Sequence, residues 1–375
     1  MSRLFLEDPV SGETLDYDGL AGVVLADRLR YRPYCQPSRL SDAFFAIATA
    51  LATDRDLTLV DDGLTERELA DLGLSEALLR REEEVANPRE ARELESWLAA
   101  VRTDCRSRLT LFTSGSTGLP KGVNHTLATL SRGVRTGPKH ACDVWGFAYN
   151  PTHMAGVQVF LQALFNLNPL VNLFRLPREE VLSLLGRHRV THLSATPSFY
   201  RLLLPADTAL PEVRAVTFGG ERTDAPLLER LRPLFPNARF RNVYASTEAG
   251  TLFSAEGDLF SVPDGLVGRI EIRDRRLHLH RSLLGEFLTE AGQLPRTPVG
   301  RGVPTAPVAA WGQAALPRTR RSIPEADRRF MGRSGPWSVV PQLLIHSTSS
   351  RAMSSGEASL TRRVCRCCFG RLTLA

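Results

Sequence analysis

The sequence predicts an α/β protein in which mostly parallel sheets are covered by helices. Short apolar strands alternate with amphipathic helices from about residue 38 to residue 244. The strands are separated by connections long enough to contain a helix, and such crossovers join parallel strands. Residues 268–280 alternate between apolar and charged side chains, which predicts an antiparallel hairpin at the end of this region.

The predicted elements follow one another in a regular order. Helices are predicted over residues 38–53, 126–134, 154–165, 181–188 and 224–234, with two or three surface helices within 65–101. Strands are predicted over residues 56–60, 108–112, 145–149, 170–174, 191–195, 213–218 and 240–244. We expect Ser38 or Ser41 to cap the first helix, Asp224 to cap the last one, and Pro197 to begin a further helix.

The positive charge of the chain is concentrated after residue 287. The whole chain has a net charge of +6, yet residues 288–375 alone hold 13 arginines against 4 acidic residues. The first 287 residues are slightly acidic, so they give no reason to expect nucleic acid as a partner. The arginines of the tail lack interleaved aromatic residues, which makes RNA or anionic lipid a weak alternative. Without a secretory signal or a membrane-spanning apolar run, a cytoplasmic protein is expected.

Residues 113–122, with the sequence TSGSTGLPKG, form a loop between a predicted strand and a predicted helix. Glycine lets backbone N–H groups approach phosphate oxygens closely, and a following helix would add the positive end of its dipole. Lys121 offers a positive charge for the phosphates. Hydroxyl donors are offered by Thr113, Ser114, Ser116 and Thr117. The loop is therefore predicted to bind phosphate.

The Walker loop, G-x-x-x-x-G-K-[ST], is the main alternative, and it does not fit. Counted from Gly115, Pro120 stands where the second glycine is needed, and Gly122 stands where the magnesium-binding hydroxyl is needed. A flexible linker is a second alternative, but a linker would not join a buried strand to an amphipathic helix. Phosphate binding by a different type of loop remains the interpretation.

At these residues the sequence resembles the adenylate-forming superfamily, which includes acyl-CoA and aryl-CoA synthetases, nonribosomal adenylation domains and luciferases. Residues 113–122 match the string [ST]-S-G-[ST]-T-G-x-P-K-G of that family throughout. Further matches follow in the family's order at residues 151–153 (PTH), 191–200 (THLSATPSFY), 218–221 (FGGE) and 244–248 (YASTE). The resemblance implies that residues 1–287 form the large N-terminal domain of these enzymes, with the start of a β-barrel subdomain.

The resemblance also implies a reaction and a site. A carboxylic acid would react with ATP to give an acyl-AMP, and the acyl group would then pass to CoA or to the phosphopantetheine of an acyl carrier protein. The implied catalytic residues are Lys121, Thr247 and Glu248, with Glu248 as the Mg²⁺ ligand, and His153 would line the acyl pocket. The implied nucleotide-binding residues are Thr113, Ser114, Gly115, Ser116, Thr117, Gly118, Lys121, Gly219, Gly220, Glu221, Tyr244, Ala245, Ser246 and Thr247.

The residue types suit these implied roles. The ring of Tyr244 can stack on adenine, and the hydroxyl of Thr247 can bond the α-phosphate, where charge develops during attack. The carboxylate of Glu248 can hold Mg²⁺. Ala245 stands where the family usually has glycine, so its methyl group is expected to narrow the nucleotide pocket without abolishing binding.

The resemblance ends near residue 285. The Thr-Gly-Asp segment and the lysine-bearing C-terminal domain of the family have no counterpart in residues 288–375, which contain no lysine. We expect an irregular tail there, rich in arginine, proline and serine, and we hypothesise that the reading frame shifted near Phe287. Because the family depends on that lysine for adenylation, the expected consequence is impaired activity or a remnant that only binds ATP or AMP.

Overall fold

The computed structural model of the protein describes residues 3–113, 120–256, 260–273, 276–287 and 337–340. Strands and helices alternate along these residues, as the sequence predicts. The strands are β1 (Leu4–Asp8), β2 (Glu13–Asp16), β3 (Arg28–Tyr31), β4 (Tyr34–Cys35), β5 (Leu57–Leu59), β6 (Glu83–Ala86), β7 (Arg108–Thr113), β8 (Lys121–Thr126), β9 (Trp145–Phe147), β10 (Leu170–Asn172), β11 (His192–Ala195), β12 (Ala215–Phe218), β13 (Arg239–Ser246), β14 (Gly250–Ala255), β15 (Ile270–Arg273), β16 (Arg276–His280), β17 (Glu286–Phe287) and β18 (Trp337–Val340). The helices are α1 (Tyr17–Val24), α2 (Leu40–Thr53), α3 (Glu66–Asp71), α4 (Glu76–Leu79), α5 (Leu94–Thr103), α6 (Leu127–Leu130), α7 (Met154–Leu164), α8 (Arg178–Arg187), α9 (Pro197–Leu202) and α10 (Ala225–Leu231).

The largest sheet runs in the order β14-β13-β12-β11-β9-β10-β1-β2, counted over the described residues. Its inner strands, from β13 to β1 in that order, all pair in parallel, and the outer strands β14 and β2 pair antiparallel. Helices α7, α8, α9 and α10 connect successive parallel strands. The predicted parallel α/β architecture is confirmed, and β1 joins the sheet although no strand was predicted before residue 56.

A second sheet runs in the order β17-β8-β7-β5-β4 within the described part of the chain. Strands β4, β5 and β7 are parallel, whereas β8 is antiparallel to both β7 and β17. Two smaller sheets consist of β3 with β6 and of β15, β16 and β18. The antiparallel pairing of β15 with β16 confirms the predicted hairpin within residues 268–280.

The chain after the glycine-rich loop differs from the prediction. The loop is followed by strand β8, which pairs with β7, and not directly by a helix. Residues 122–125 are all buried, because β8 lies between two other strands, whereas an amphipathic helix would leave one face exposed. The helix predicted over residues 126–134 is confined to Leu127–Leu130. The loop therefore connects the two strands of a hairpin.

Two of the three predicted helix starts are confirmed. The side chain of Asp224 accepts a hydrogen bond from the backbone N–H of Leu227 at 2.9 Å, and Pro197 is the first residue of α9. The prediction of Ser38 or Ser41 as the cap of α2 is wrong, because Arg39 occupies that position. Its backbone N–H donates to the carboxylate of Asp42 at 2.9 Å.

One apolar cluster contains residues of both large sheets and of helices α2 and α7. Phe44 of α2 lies at its centre, with its ring stacked on that of Phe160 in α7 at a centroid distance of 4.4 Å. The ring of Phe147 in β9 meets Phe44 edge-on at 5.2 Å. Because the two sheets share this core, the ends of the strands in one sheet keep fixed positions relative to those in the other.

Strand β18 lies far beyond the point at which the sequence pattern fades. Residues 337–340 pair antiparallel with β16, although no strand was predicted after residue 287. The predicted domain boundary falls at the end of β17, and the boundary itself stays a prediction. Among the described residues, no helix combines the length and the apolar character needed to cross a membrane.

Replacing Phe44 by alanine is expected to lower the free energy of unfolding by about 3–5 kcal/mol, because the side chain is fully buried and leaves a cavity. Urea unfolding followed by circular dichroism measures this loss. The control is Val10→Ala, a residue that is 61% exposed, for which a change of about 0.5 kcal/mol or less is expected. Equal losses for the two variants would contradict a core centred on Phe44.

Candidate functional site

The ends of the glycine-rich loop are held by the hairpin of β7 and β8. Thr113 at the end of β7 pairs with Lys121 at the start of β8. Residues 114–119, which include the predicted phosphate-binding residues from Ser114 to Gly118, lie outside the described residues. What the structure establishes at this loop is the position of its two ends.

Glu248 lies in the turn between β13 and β14, and its carboxylate is almost completely removed from water. The residue is 4% exposed. Burial raises the pKa of Glu248, while its own backbone N–H, the hydroxyl of Ser246 and the positive charge of Lys121 act to lower it. The charge of Lys121 thus acts on the carboxylate of Glu248, although the two residues are far apart in the sequence.

The backbone around Glu248 is fixed from several sides. The carbonyl oxygen of Glu248 accepts a hydrogen bond from the backbone N–H of Gly285 at 2.7 Å. Arg132 donates to the carbonyl oxygens of Ala249 at 2.7 Å and of Leu283 at 3.2 Å. Arg132 therefore joins the Glu248 turn to the segment before β17. Sequence reasoning missed this residue, and no local pattern identifies it.

Gly250 also supports this turn and was missed. It has a φ of +65°, and a Cβ there would come within 3.2 Å of the side chain of Gln158 and of the Thr129 carbonyl oxygen. The same Cβ would lie 4.0 Å from the sulfur of Met154 in α7. The start of α7 and the Glu248 turn are therefore neighbours. Its place two residues after the YASTE string was the signal that could have identified Gly250.

His125 in β8 is a completely buried histidine beside this turn. A Cβ on Gly285 would lie 2.5 Å from the imidazole Cε1 of His125, so only glycine fits against the ring. Burial lowers the pKa of His125 to about 4, and the charge of Arg132 contributes in the same direction. The imidazole is therefore neutral at physiological pH.

The glycines after β12 have clear structural reasons. A Cβ on Gly219 would lie 3.1 Å from the hydroxyl of Tyr149, and Gly220 has a φ of +85°. The carboxylate of Glu221 accepts hydrogen bonds from the hydroxyl of Ser198 at 2.6 Å and from its backbone N–H at 3.1 Å. Glu221 therefore caps the start of α9, and its role toward a nucleotide stays a prediction.

Tyr244, Ala245 and Ser246 form the end of β13, next to the end of β12. The ring of Tyr244 packs against that of Phe253 at a centroid distance of 5.7 Å. The pairing of β13 with β14 shifts register between Tyr244 and Ala245. Ala245 is not among the described residues with positive φ. An alanine at this position, where the family usually has glycine, therefore causes no backbone strain. The nucleotide roles of these residues and of Thr247 stay predictions.

His153 is the N-cap residue of α7, after the end of β9. Its side chain is 55% exposed, and Nε2 lies 2.6 Å from Oδ2 of Asp61. The hydrogen bond from His153, as the largest effect, lowers the pKa of Asp61 to about 2 against the opposing effect of burial. Three residues further along, in α7, Gly156 packs so closely that a Cβ would come within 2.2 Å of the Asn150 carbonyl oxygen.

The described part of the chain contains no group of three or more histidine, cysteine, aspartate or glutamate side chains arranged to hold a metal ion. Glu248, the predicted Mg²⁺ ligand, is therefore not part of such a group. A buried carboxylate with a raised pKa fits a cation, because a cation offsets the cost of removing its charge from water.

The structure is similar to solved adenylate-forming enzymes. O-succinylbenzoate coenzyme A synthetase (MenE) from Bacillus subtilis, in complex with ATP and magnesium ion, has a TM-score of 0.54 and 17% identity, covering 76% of this chain and 70% of that chain. The N-terminal domain of FACL13 from Mycobacterium tuberculosis has a TM-score of 0.56 and 13% identity, covering 76% and 87%. The fold is that of the N-terminal domain of adenylate-forming enzymes.

The sequence model of the family described as AMP-binding enzyme matches residues 41–275. The chain belongs to this family. It is 31% identical over 140 residues to 2-succinylbenzoate–CoA ligase of Bacillus subtilis (strain 168), which is 36% of this chain and 28% of the ligase. It is 31% identical over 166 residues to bacitracin synthase 3 of Bacillus licheniformis, which is 40% of this chain and 2% of the synthase. The chain thus matches little more than a quarter of the first relative's length.

The buried His125 is expected to make stability depend on pH. Unfolded histidine takes up a proton near pH 6.5, whereas folded His125 does so only near pH 4, so protons favour the unfolded state between these values. The free energy of unfolding is expected to fall by up to about 3 kcal/mol as the pH decreases through this window. Urea unfolding at a series of pH values measures the slope.

His125→Asn removes the titrating group and is expected to flatten this slope relative to the wild-type protein, even if it lowers stability at neutral pH. Other histidines and carboxylates titrate identically in both proteins, so the difference between the two slopes isolates His125. An unchanged slope in the variant would show that His125 is accessible to protons in the folded state.

Proposed function

We propose that this protein activates a carboxylic acid with ATP. A carboxylate oxygen attacks the α-phosphorus, the bond to the β-phosphate breaks, and acyl-AMP and pyrophosphate are formed. A thiol of CoA, or of the phosphopantetheine on an acyl carrier protein, then attacks the acyl carbon and AMP leaves. The observation that carries this proposal is the buried carboxylate of Glu248, on which the charge of Lys121 acts from the base of the glycine-rich loop.

The charged residues of the site have distinct roles in this proposal. Lys121 offsets the charge of the phosphates, which the loop residues Thr113 to Gly118 contact through backbone N–H and hydroxyl groups. Glu248 would hold Mg²⁺, which when bound neutralises phosphate charge. The hydroxyl of Thr247 donates to the α-phosphate, where negative charge grows during attack. The similar Bacillus subtilis synthetase contains ATP and magnesium ion, which supports these two as the ligands of the proposed reaction.

The remaining residues bind the nucleotide base and the acid. The carboxyl ends of β12 and β13 are adjacent, so Gly219, Gly220 and Tyr244 lie along one edge of the sheet, where adenine can stack. Glu221, Ala245 and Ser246 complete this edge. His153, at the neighbouring end of β9, lies where the acid would be bound. The protein contributes positioning and electrostatic stabilisation.

The alternative function is that of a binding protein which holds ATP or AMP and completes no transfer. The observation that favours it is the lack of any lysine in residues 288–375, since the lysine of the family's C-terminal domain takes part in adenylation. Incubating the protein with ATP, Mg²⁺ and a panel of carboxylic acids separates the two functions. Pyrophosphate release supports activation, and AMP binding without pyrophosphate release supports the alternative. If the protein neither releases pyrophosphate nor binds AMP, the nucleotide site itself is refuted.

Replacing Lys121 by alanine is expected to weaken ATP binding about tenfold or more, because a charge-assisted contact to phosphate contributes about 1.5–3 kcal/mol. Isothermal titration calorimetry measures the affinity. Lys139, the other lysine of the chain, is exposed in the turn before β9 and provides the matched control. Lys139→Ala is expected to bind ATP like the wild type, and equal losses in both variants would exclude a specific role for Lys121.

Replacing Glu248 by glutamine is expected to remove the dependence of ATP affinity on Mg²⁺, because the amide keeps the shape of the side chain and loses its charge. Titrations of ATP with and without Mg²⁺ measure this dependence in each variant. The exposed Glu229 of α10 is the control, as Glu229→Gln removes one negative charge far from the site. A Mg²⁺ effect that persists in Glu248→Gln argues against Glu248 as the ligand.

A further inference from the structure

Two consecutive aspartates after β5 connect the two large sheets. The carboxylate of Asp61 contacts Nε2 of His153 at 2.6 Å and accepts a hydrogen bond from the side-chain amide of Asn150 at 3.1 Å. Asp61 follows a strand of the five-stranded sheet, whereas Asn150 and His153 follow β9 of the eight-stranded sheet. The imidazole of His153 is therefore held from the opposite sheet.

The turn that carries His153 is itself tightly fixed. The side-chain oxygen of Asn150 accepts hydrogen bonds from the backbone N–H of Thr152 at 2.9 Å and from its hydroxyl at 2.8 Å. Gly156 packs against the Asn150 carbonyl oxygen with no room for a side chain. On the other side, the second carboxylate oxygen of Asp61 accepts from the backbone N–H of Gly63 at 2.8 Å. Asp61 and the turn that carries His153 are thus each fixed by contacts other than the one between Asp61 and His153.

This pairing determines which ring nitrogen of His153 can meet a ligand. An ionised carboxylate only accepts hydrogen bonds, so Nε2 of His153 carries the proton that lies between the two groups. Within the described residues, the hydrogen bonds of the ring are confined to Nε2. The side chain as a whole is 55% exposed. In the neutral ring, Nδ1 is a hydrogen-bond acceptor.

We propose that Asp61 is a positioning residue for the acid substrate. It fixes the tautomer and the orientation of His153, so that Nδ1 accepts a hydrogen bond from a hydroxyl or amino group on the acid. The site then selects acids that carry such a donor over purely apolar acids of the same shape, because an apolar acid would leave Nδ1 desolvated and unpaired. This inference rests on the proposed function, which places His153 at the acid.

Sulfamoyladenosine and its acyl derivatives are suitable probes, because they resemble acyl-AMP and report binding without turnover. Two comparisons use probes that differ in one hydrogen-bond donor. The first compares the 2-, 3- and 4-hydroxybenzoyl derivatives with the benzoyl derivative, which lacks the hydroxyl group. The second compares the phenylalanyl derivative with the 3-phenylpropionyl derivative, which lacks the amino group. In at least one comparison the wild-type protein is expected to bind the donor-bearing probe about tenfold more tightly, which corresponds to one hydrogen bond. Calorimetry measures each affinity.

Asp61→Asn is expected to reduce this donor advantage to about threefold or less, while the affinity for unsubstituted sulfamoyladenosine stays unchanged. An exclusively structural role would lower all affinities together. His153→Phe is expected to abolish the advantage, and adding Asp61→Asn to it should change nothing further. If Asp61→Asn does not fold, Asp61→Ser provides the same comparison with a smaller side chain.

The neighbouring aspartate is the matched control. Asp62 pairs with Arg175 through two contacts of 2.6 and 3.0 Å, so it also links the two sheets but does not contact His153. Asp62→Asn is expected to retain the full donor advantage. Loss of the advantage in Asp62→Asn, or its retention in Asp61→Asn, overturns the inference.

The probes also separate this inference from the function on which it rests. If the wild-type protein binds sulfamoyladenosine and no donor-bearing probe has an advantage, the inference alone fails. If the wild-type protein does not bind sulfamoyladenosine at all, both the proposed function and this inference fail.

Discussion

A carboxylate removed from water has to be offset by positive charge, and the site is arranged around this constraint at Glu248. Lys121 supplies part of that charge from the start of β8, and a bound cation would supply the rest. The constraint explains why the turn is fixed so firmly, through Arg132 on one side and the Gly285 backbone on the other. A carboxylate that could swing into solvent would be hydrated and would need no such compensation.

The parts of the fold that were predicted are those whose signals are local. The strand ending at Phe218 and the helix capped by Asp224 each carry their own apolar run or capping residue within a few positions. Strand β8 was not predicted, because its burial comes from β17, more than 150 residues further along the chain. The capping role of Arg39 depends on the carboxylate of Asp42, where a serine had been expected.

The site shows the same division between local and distant signals. The strings containing Lys121 and Glu248 could be found in the sequence, and in the structure the charge of Lys121 acts on the Glu248 carboxylate. No pattern could show that Glu221 caps a neighbouring helix or that Asp61 pairs with His153, which lies 92 residues away. Such contacts arise only when strands distant in the sequence end near one another, within one sheet for Glu221 and between the two large sheets for Asp61.

Strand β17 belongs to the chain beyond residue 285 and pairs with β8, the strand that begins at Lys121. Glu286 and Phe287 pair with Asn124 and Val123 of β8, and Glu286 also forms an ion pair with Arg108 of β7 at 2.5 Å. The strand that begins with Lys121 thus pairs with β7 along its whole length on one edge, and with β17 at Val123 and Asn124 on the other. Family-like sequence fades at this point, yet these two residues still pair with the strand that follows the predicted phosphate-binding loop.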